Sequence, residues 1–188
     1  MKQAFLEGQR LYLRPLSEVD AEGEYPSWLN SAKVCAGNSH HLYPYSNKQA
    51  IEYIRQIQLS RTDLVLAIVQ KKDDRHIGNI ALQSINPVHR SAEISILIGD
   101  PDSWGFGYAT EASQLICKHG FEALNLRRIG CGTYANNIGM QRVALALGMK
   151  KEGVRRQAIF KDGQYLDLIE YGLLRDEYKK PAESEKES

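Results

Sequence analysis

Trp104-Gly105-Phe106-Gly107-Tyr108-Ala109-Thr110-Glu111-Ala112 links an apolar run to a long amphipathic one, with two glycines just ahead of the expected helix. Glycine adopts positive φ at little cost and lets the backbone approach a ligand closely. A helix that starts near Gly107 directs unpaired N–H groups and its positive dipole end at whatever sits before it. An anion such as a pyrophosphate is the natural guest. Because two glycines before a helix also make an ordinary turn, the flanking sequence decides between the two.

Upstream, Ala92-Glu93-Ile94-Ser95-Ile96-Leu97-Ile98-Gly99 reads as a strand. Its alternation puts Glu93, Ser95 and Leu97 on one face and Ile94, Ile96 and Ile98 on the other. Downstream come Phe121-Glu122-Ala123-Leu124-Asn125-Leu126-Arg127-Arg128-Ile129, then Asn137, then Leu147-Gly148-Met149 and Glu152-Gly153. The turn reads Gly-x-Gly-x-x-Thr and follows several strands, whereas a dinucleotide-binding unit has GxGxxG at the opening of its βαβ fold.

Working outward, Leu11 to Leu13 reads as a first strand, and Val19 to Ala32 as a helical region interrupted at Pro26. Ser46 and Gln49 form a capping box, with Ala50, Ile54 and Ile57 at helical spacing behind it. Leu64 to Val69 and Ile77 to Ile85 read as strands joined across Lys71-Lys72-Asp73-Asp74-Arg75. The helix from Gly107 to about Leu124 is expected to bury Ala112, Ile116, His119 and Ala123 on one stripe. Ile129 to Tyr134 is a strand, and Met140, Val143, Ala144 and Leu147 form the inner face of a last helix. Asp162-Gly163 between Val154 to Phe160 and Tyr165 to Leu174 is a two-residue hairpin signal.

At 188 residues, 43% of them hydrophobic, the chain suits one domain over residues 1–178 and a polar, frayed tail over 179–188. A net charge of +1 with dispersed charges gives no footprint for nucleic acid or a membrane surface. Met1 to Arg10 lacks an apolar core and no apolar run reaches membrane-spanning length, so a cytoplasmic address is expected. Cys35, Cys117 and Cys131 form no CxxC pair and read as small apolar fillers, with neither a disulfide framework nor a zinc site.

The GFGYATEA segment with its downstream asparagine resembles the GNAT acetyltransferase superfamily, and within it the RimJ/RimL-like branch of N-acetyltransferases. The similarity runs from Leu11-Tyr12-Leu13-Arg14-Pro15-Leu16 through Trp28-Leu29-Asn30 to Gly163-Gln164-Tyr165-Leu166-Asp167 and Arg175-Asp176-Glu177-Tyr178. It implies an α+β fold: a twisted, mostly antiparallel mixed sheet of about seven strands, flanked by about four helices, with splayed central strands holding the cofactor. The implied cofactor is acetyl-CoA, with no metal. Its pyrophosphate would lie on the turn formed by Trp104, Gly105, Phe106, Gly107, Tyr108, Ala109 and Thr110, and its pantetheine arm beside Ile96, Leu97 and Ile98. Asn137 matches the family asparagine that contacts that arm and also suits a helix N-cap. Relatives commonly carry Gln or Arg where this chain has Trp104, so a polar side chain near the phosphates is missing.

Acetyl transfer to an amine needs a base, and Glu93 on the cofactor-binding strand is the candidate, acting directly or through water. Partial burial would raise its pKa usefully, and a structural pairing with Arg90 is the competing role. Many relatives have a tyrosine acid where this chain has Ala144, which leaves Tyr134 as a candidate only through water. For the acceptor, the resemblance points to the loop between the first helices, where Trp28, His40, His41 and Tyr43 are the candidate contacts. No Asp or Glu occurs from Tyr25 to Ile51, which disfavours polyamines and suits an amino sugar on a nucleotide carrier, another small amine, or a protein N-terminus. Adjacent histidines without a third ligand at suitable spacing do not make a metal site. The expected partners are therefore a small amine and, at most, a second copy of the chain. A non-catalytic acyl-CoA-binding module is the alternative from another class.

Overall fold

The computed structural model describes residues 4–178, so the tail expected over 179–188 lies outside the described residues. Its strands are β1 (Leu6–Glu7), β2 (Leu11–Pro15), β3 (Leu64–Gln70), β4 (His76–Asn86), β5 (Ser91–Ile98), β6 (Arg128–Tyr134), β7 (Lys150–Lys161) and β8 (Gln164–Leu174). Its helices are α1 (Tyr25–Leu29), α2 (Asn47–Leu59), α3 (Tyr108–Glu122) and α4 (Ile138–Ala146). One sheet runs in the order β1-β2-β3-β4-β5-β6-β8-β7, antiparallel except for the β5–β6 pair.

That parallel pair positions the site. It joins only Ser91, Ala92 and Glu93 to Arg128, Ile129 and Gly130, although β5 continues to Ile98 and β6 to Tyr134. Past Glu93 the two strands part, and the slot between them exposes backbone edges that would otherwise form a ladder. Helices cover both faces. Ile94, Ile129 and Cys131 pack with Ala112, Ile116 and Phe121 of α3 and with Val143 and Ala144 of α4, while Tyr12, Ala67 and Val69 pack with Trp28, Ala50 and Ile54 on the α1/α2 side.

Local signals account for most of these elements. Ser46 and Gln49 form the expected capping box at α2, the Ser46 hydroxyl accepting from the Gln49 N–H at 3.3 Å. Asp162 and Gly163, with φ of 51° and 81°, turn the β7–β8 hairpin. The mostly antiparallel mixed sheet and its four helices agree with the expected fold, and its eight strands include Leu6 and Glu7, which pair with Leu13 and Tyr12 in a hairpin too short for its periodicity to show. Three expectations are corrected. The region 19–32 is a 3-10 turn over Glu18–Ala21 followed by α1, and Pro26 sits in the first turn of α1, where its missing N–H costs nothing.

On α3 the buried stripe is Ala112, Ser113, Ile116, Cys117, Gly120 and Phe121. The helix ends at Glu122, so Ala123 is an exposed cap residue, and His119 is half-buried with its ring edge-on to Phe5 at 5.0 Å. Arg90 donates to the Asn125 carbonyl and side chain, at 2.8 and 2.7 Å, and makes no pair with Glu93.

A buried ionic cluster ties β2 to the 3-10 turn. Asp20, 6% exposed, accepts from Arg14 at 2.8 and 2.7 Å and from the Ser17 N–H at 2.8 Å, with His76 Nδ1 at 3.3 Å. Burial alone would raise its carboxyl pKa, but hydrogen bonds from Arg14, His76 and Ser17 outweigh that and hold it well below the ordinary range. A depressed folded-state pKa contributes stability above the unfolded value that is lost as pH falls. Asp20→Asn is therefore expected to lower stability by about 2 kcal/mol at neutral pH. The deficit should shrink below about pH 4, near the unfolded aspartate pKa. Urea unfolding of both proteins across this range checks it, and a deficit independent of pH would refute the linkage.

Candidate active site

Gly105 and Gly107 both have positive φ, 82° and 80°, and Gly107 is the N-cap of α3. The first bond of that helix runs from the Glu111 N–H to the Gly107 carbonyl at 3.1 Å, leaving the earlier N–H groups directed outward. The turn 104–107 is exposed. A row of free donors at a helix N-terminus fits an anionic group such as a pyrophosphate.

A residue that sequence reading did not single out braces this turn. Arg10 donates from Nη1 to the Phe106 carbonyl at 2.7 Å and from Nε to Glu111 Oε2 at 2.8 Å, and lies over the Tyr108 ring at 4.9 Å. Glu111 Oε1 in turn accepts the Arg10 N–H at 2.8 Å. A guanidinium thus stands beside the turn, where the resemblance implies a polar side chain and the chain has Trp104. Nothing local could have revealed it, since Arg10 and Phe106 are 96 residues apart. Trp104 itself donates its indole N–H to the Ile98 carbonyl at 2.8 Å, and Lys33 lies over its ring at 5.4 Å.

On β5 the expected alternation is observed, with Ile94, Ile96 and Ile98 in the α3/α4 core and Leu97 against the other core. Glu93 is the last β5 residue paired to β6, at the apex of the slot. Its side chain lies across Gly130, where a β-carbon would overlap the carboxylate, and it makes no hydrogen bond or ion pair among the described residues. Desolvation raises its pKa from the ordinary 4.5; the Arg128 charge opposes this, and Glu170 and Glu152 reinforce it. Arg128 is itself held by Glu152, so Glu93 keeps its lone pairs free for a proton.

Tyr134 ends β6 at the open side of the slot, buried, with burial raising its hydroxyl pKa. Just beyond it, Asn137 caps α4, its Oδ1 accepting from the Met140 N–H at 3.0 Å, and its Nδ2 donates to the Gly37 carbonyl at 3.1 Å. Both ends of that amide are engaged within the protein. The partner, Gly37, belongs to the loop after α1, whose base is closed by Asn30 bonding the Tyr45 N–H and carbonyl at 2.8 and 2.7 Å.

Of the candidate acceptor contacts, the structure keeps His40, His41 and Tyr43 together on this loop, with Tyr43 84% exposed. Partial burial and then the Lys161 charge lower the His40 pKa. Trp28 is set apart from them. It is 5% exposed, edge-on to His76 at 4.9 Å, and lines an open cleft of about 430 Å³ with Ser27, Ser31, Arg75 and Gly99. Cys35, Cys117 and Cys131 are all buried, burial pushing the Cys117 and Cys131 thiols up to about 12, as fits apolar fillers. No group of His, Cys, Asp and Glu among the described residues could hold a metal ion. No helix among them is long and apolar enough to cross a membrane.

Known proteins resemble this chain in sequence and fold. A family described as an acetyltransferase (GNAT) domain matches residues 10–150. An uncharacterized N-acetyltransferase of Bacillus subtilis, YoaA, is 30% identical over 179 residues, covering 90% of this chain and 96% of its own. Spermidine N(1)-acetyltransferase of Escherichia coli K12 is 33% identical over 106 residues, 56% of each chain. The crystal structure of a spermidine N-acetyltransferase from Vibrio cholerae in complex with CoA and spermine has the same fold, with a TM-score of 0.82 at 23% identity, covering 90% of this chain and 98% of that one.

Proposed function

Because the chain belongs to the GNAT acetyltransferase family, matched over residues 10–150, we propose that it transfers an acetyl group from acetyl-CoA to a primary amine by direct attack on the thioester. The observation that carries this reading is the slot opening past Glu93, with the free N–H groups of the 105–110 turn at the far end of the same strand. Residues 105–110 would hold the pyrophosphate, with Arg10 supporting the turn, and the edge at Ile96, Leu97 and Ile98 would align the pantetheine arm. Acetyl-CoA supplies the activated acetyl group.

The chain's own residues manage the proton. The amine nitrogen forms the new C–N bond as the C–S bond breaks, Glu93 takes the ammonium proton directly or through water, and the thiolate leaves. Tyr134 is the candidate to protonate that thiolate through water. Partial desolvation suits Glu93 to this role, since a raised pKa brings a carboxylate closer to the working pH. We assign residues 1–178 to one domain of the RimJ/RimL-like branch, acting in the cytoplasm.

The acceptor is a small amine, such as a nucleotide-linked amino sugar, and the loop after α1 recognises it. Tyr25 to Ile51 contains no carboxylate yet gathers His40, His41 and Tyr43, which offer stacking and neutral hydrogen bonds without attracting polycations. His40→Ala and His41→Ala are each expected to raise the KM for the acceptor about fivefold, the size of one neutral hydrogen bond, while the KM for acetyl-CoA stays unchanged. Spermidine should be a poor substrate. Thiol release from acetyl-CoA across amino sugars, polyamines and peptide N-termini tests the whole reading. Release with no amine would reject it, and efficient spermidine acetylation unaffected by either histidine would move acceptor recognition off this loop.

A further inference from the structure

Both N–H groups of Trp104 are already committed. Its backbone N–H donates to the Pro101 carbonyl at 3.2 Å and its indole N–H to the Ile98 carbonyl at 2.8 Å. Residues 104–110 contain no Lys or Arg, and Arg10 beside them is paired with Glu111 while it props the Phe106 carbonyl. A diphosphate on this turn would find backbone donors but no uncommitted cation. Lys33 supplies one from elsewhere in the chain. Its ammonium lies 5.4 Å from the centre of the Trp104 ring and makes no hydrogen bond or ion pair among the described residues. Of the two carboxylates just ahead of Trp104, Asp100 is held by Arg75 and Ser103, and Asp102 is exposed and makes no pair with Lys33.

The backbone that carries Lys33 is fixed from below. Val34 and Cys35 are buried, the Cys35 N–H donates to the Ser31 carbonyl at 2.9 Å, and the Cys35 thiol donates to the Trp28 carbonyl at 3.3 Å. Lys33 is exposed on a turn whose other side is anchored in the α1/α2 core. Strand register shows what that turn spans. β5 and β6 are parallel and paired at Glu93 and Gly130, so Ile98 and Tyr134, five and four residues further on, end the slot at nearly one level. The Gly99 N–H bonds Ile77 of β4, so the Ile98 carbonyl, one residue back, points the other way, toward the slot, where Trp104 caps it. On the β6 side the Gly37 carbonyl accepts from Asn137 at 3.1 Å, so close that a β-carbon on Gly37 would meet that amide at 2.5 Å. Residues 33–37 therefore cross the open end of the slot, touching the β5 side through Lys33 and the β6 side through Gly37.

We propose that Lys33 is a cofactor-binding residue whose ammonium neutralises the diphosphate of acetyl-CoA, replacing the polar side chain that the resemblance implies at position 104. This rests on the acetyl-transfer reading above and adds a residue to its site. A charge-assisted bond to a phosphate oxygen is stronger than an ammonium's contact with an exposed ring, so Lys33 would leave the indole for the diphosphate. Trp104 acts as its positioning residue, holding the ammonium one residue ahead of the donor turn that opens at Gly105. An ammonium already placed there loses less freedom on binding than one on a mobile segment.

The test is calorimetry on the full chain with three ligands: CoA, dephospho-CoA, which lacks the 3′-phosphate but keeps the diphosphate, and pantetheine, which lacks both. Lys33→Met keeps an alkyl stem over the indole and removes the charge. It should weaken CoA and dephospho-CoA alike, by about tenfold, as expected for one charge-assisted contact at an exposed site, and leave pantetheine unchanged. Lys33→Arg should retain most of the affinity. Wild-type CoA affinity in Lys33→Met, folded by circular dichroism, overturns the proposal and leaves acetyl transfer standing. A loss seen with CoA but not with dephospho-CoA assigns Lys33 to the 3′-phosphate and overturns the diphosphate contact. An equal loss with pantetheine shows that the substitution disturbs the slot itself, and overturns it too. Failure of the wild-type protein to bind CoA at all would reject the acetyl-transfer reading together with this one.

Discussion

Glu93→Gln is expected to lower kcat about a hundredfold at neutral pH, the lower range for loss of a general base, with acetyl-CoA affinity unchanged. Glutamine keeps the shape of the side chain that lies over Gly130, so the floor of the slot should survive. What it loses is the proton acceptor. In the wild type, desolvation holds the Glu93 pKa above 4.5, so the rate should climb on the acid side through a pKa higher than that of a free carboxylate. In the variant this limb should disappear. The deficit should narrow at high pH, where more of the amine is already neutral. Wild-type kcat in the variant at pH 7, or a loss traced by circular dichroism to unfolding, would return Glu93 to a structural role.

Gly107→Val should weaken acetyl-CoA binding by about two orders of magnitude, the scale of losing two charge-assisted N–H bonds. Gly107 holds φ at 80°, which a β-branched residue reaches only with strain. The turn would therefore relax and swing its N–H groups away from the anion. The fold should persist, because the turn is exposed and the nearest atom to a new β-carbon is Arg10 Nη2 at 3.4 Å. Gly148→Ala serves as the control. It too has a positive φ, 82°, with open space around it and a place after α4, and should lose stability without losing CoA affinity. Calorimetry with CoA on the folded variants decides the matter, and unchanged affinity in Gly107→Val would remove the pyrophosphate from this turn.

Several parts of the fold and candidate site could be read from spacing alone because their causes are local. Positive φ at Gly105 and Gly107, the Ser46 capping box, the Asp162-Gly163 hairpin and the alternation of Glu93 with Ile94 each involve residues a few positions apart. Steric limits and nearest-neighbour hydrogen bonds act at that range. The same local reading overran at Ala123, since a helical stripe projected past Glu122 cannot know where the helix stops.

What the tertiary structure alone decided are the partners of the charged and polar groups. Arg90 is the nearest cation to Glu93 in the sequence, yet it turns to Asn125, while Glu93 is left unpaired over Gly130. Arg10 reaches Phe106 across 96 residues, Asn137 reaches Gly37 across 100, and Lys161 comes under His40 across 121. Such pairings follow from strand order and register, which are set by the burial of whole faces. Spacing along the chain therefore fixed which chemical groups were available, and the packing of two cores about one splayed sheet decided which of them, like Arg10, found a partner and which, like Glu93, did not.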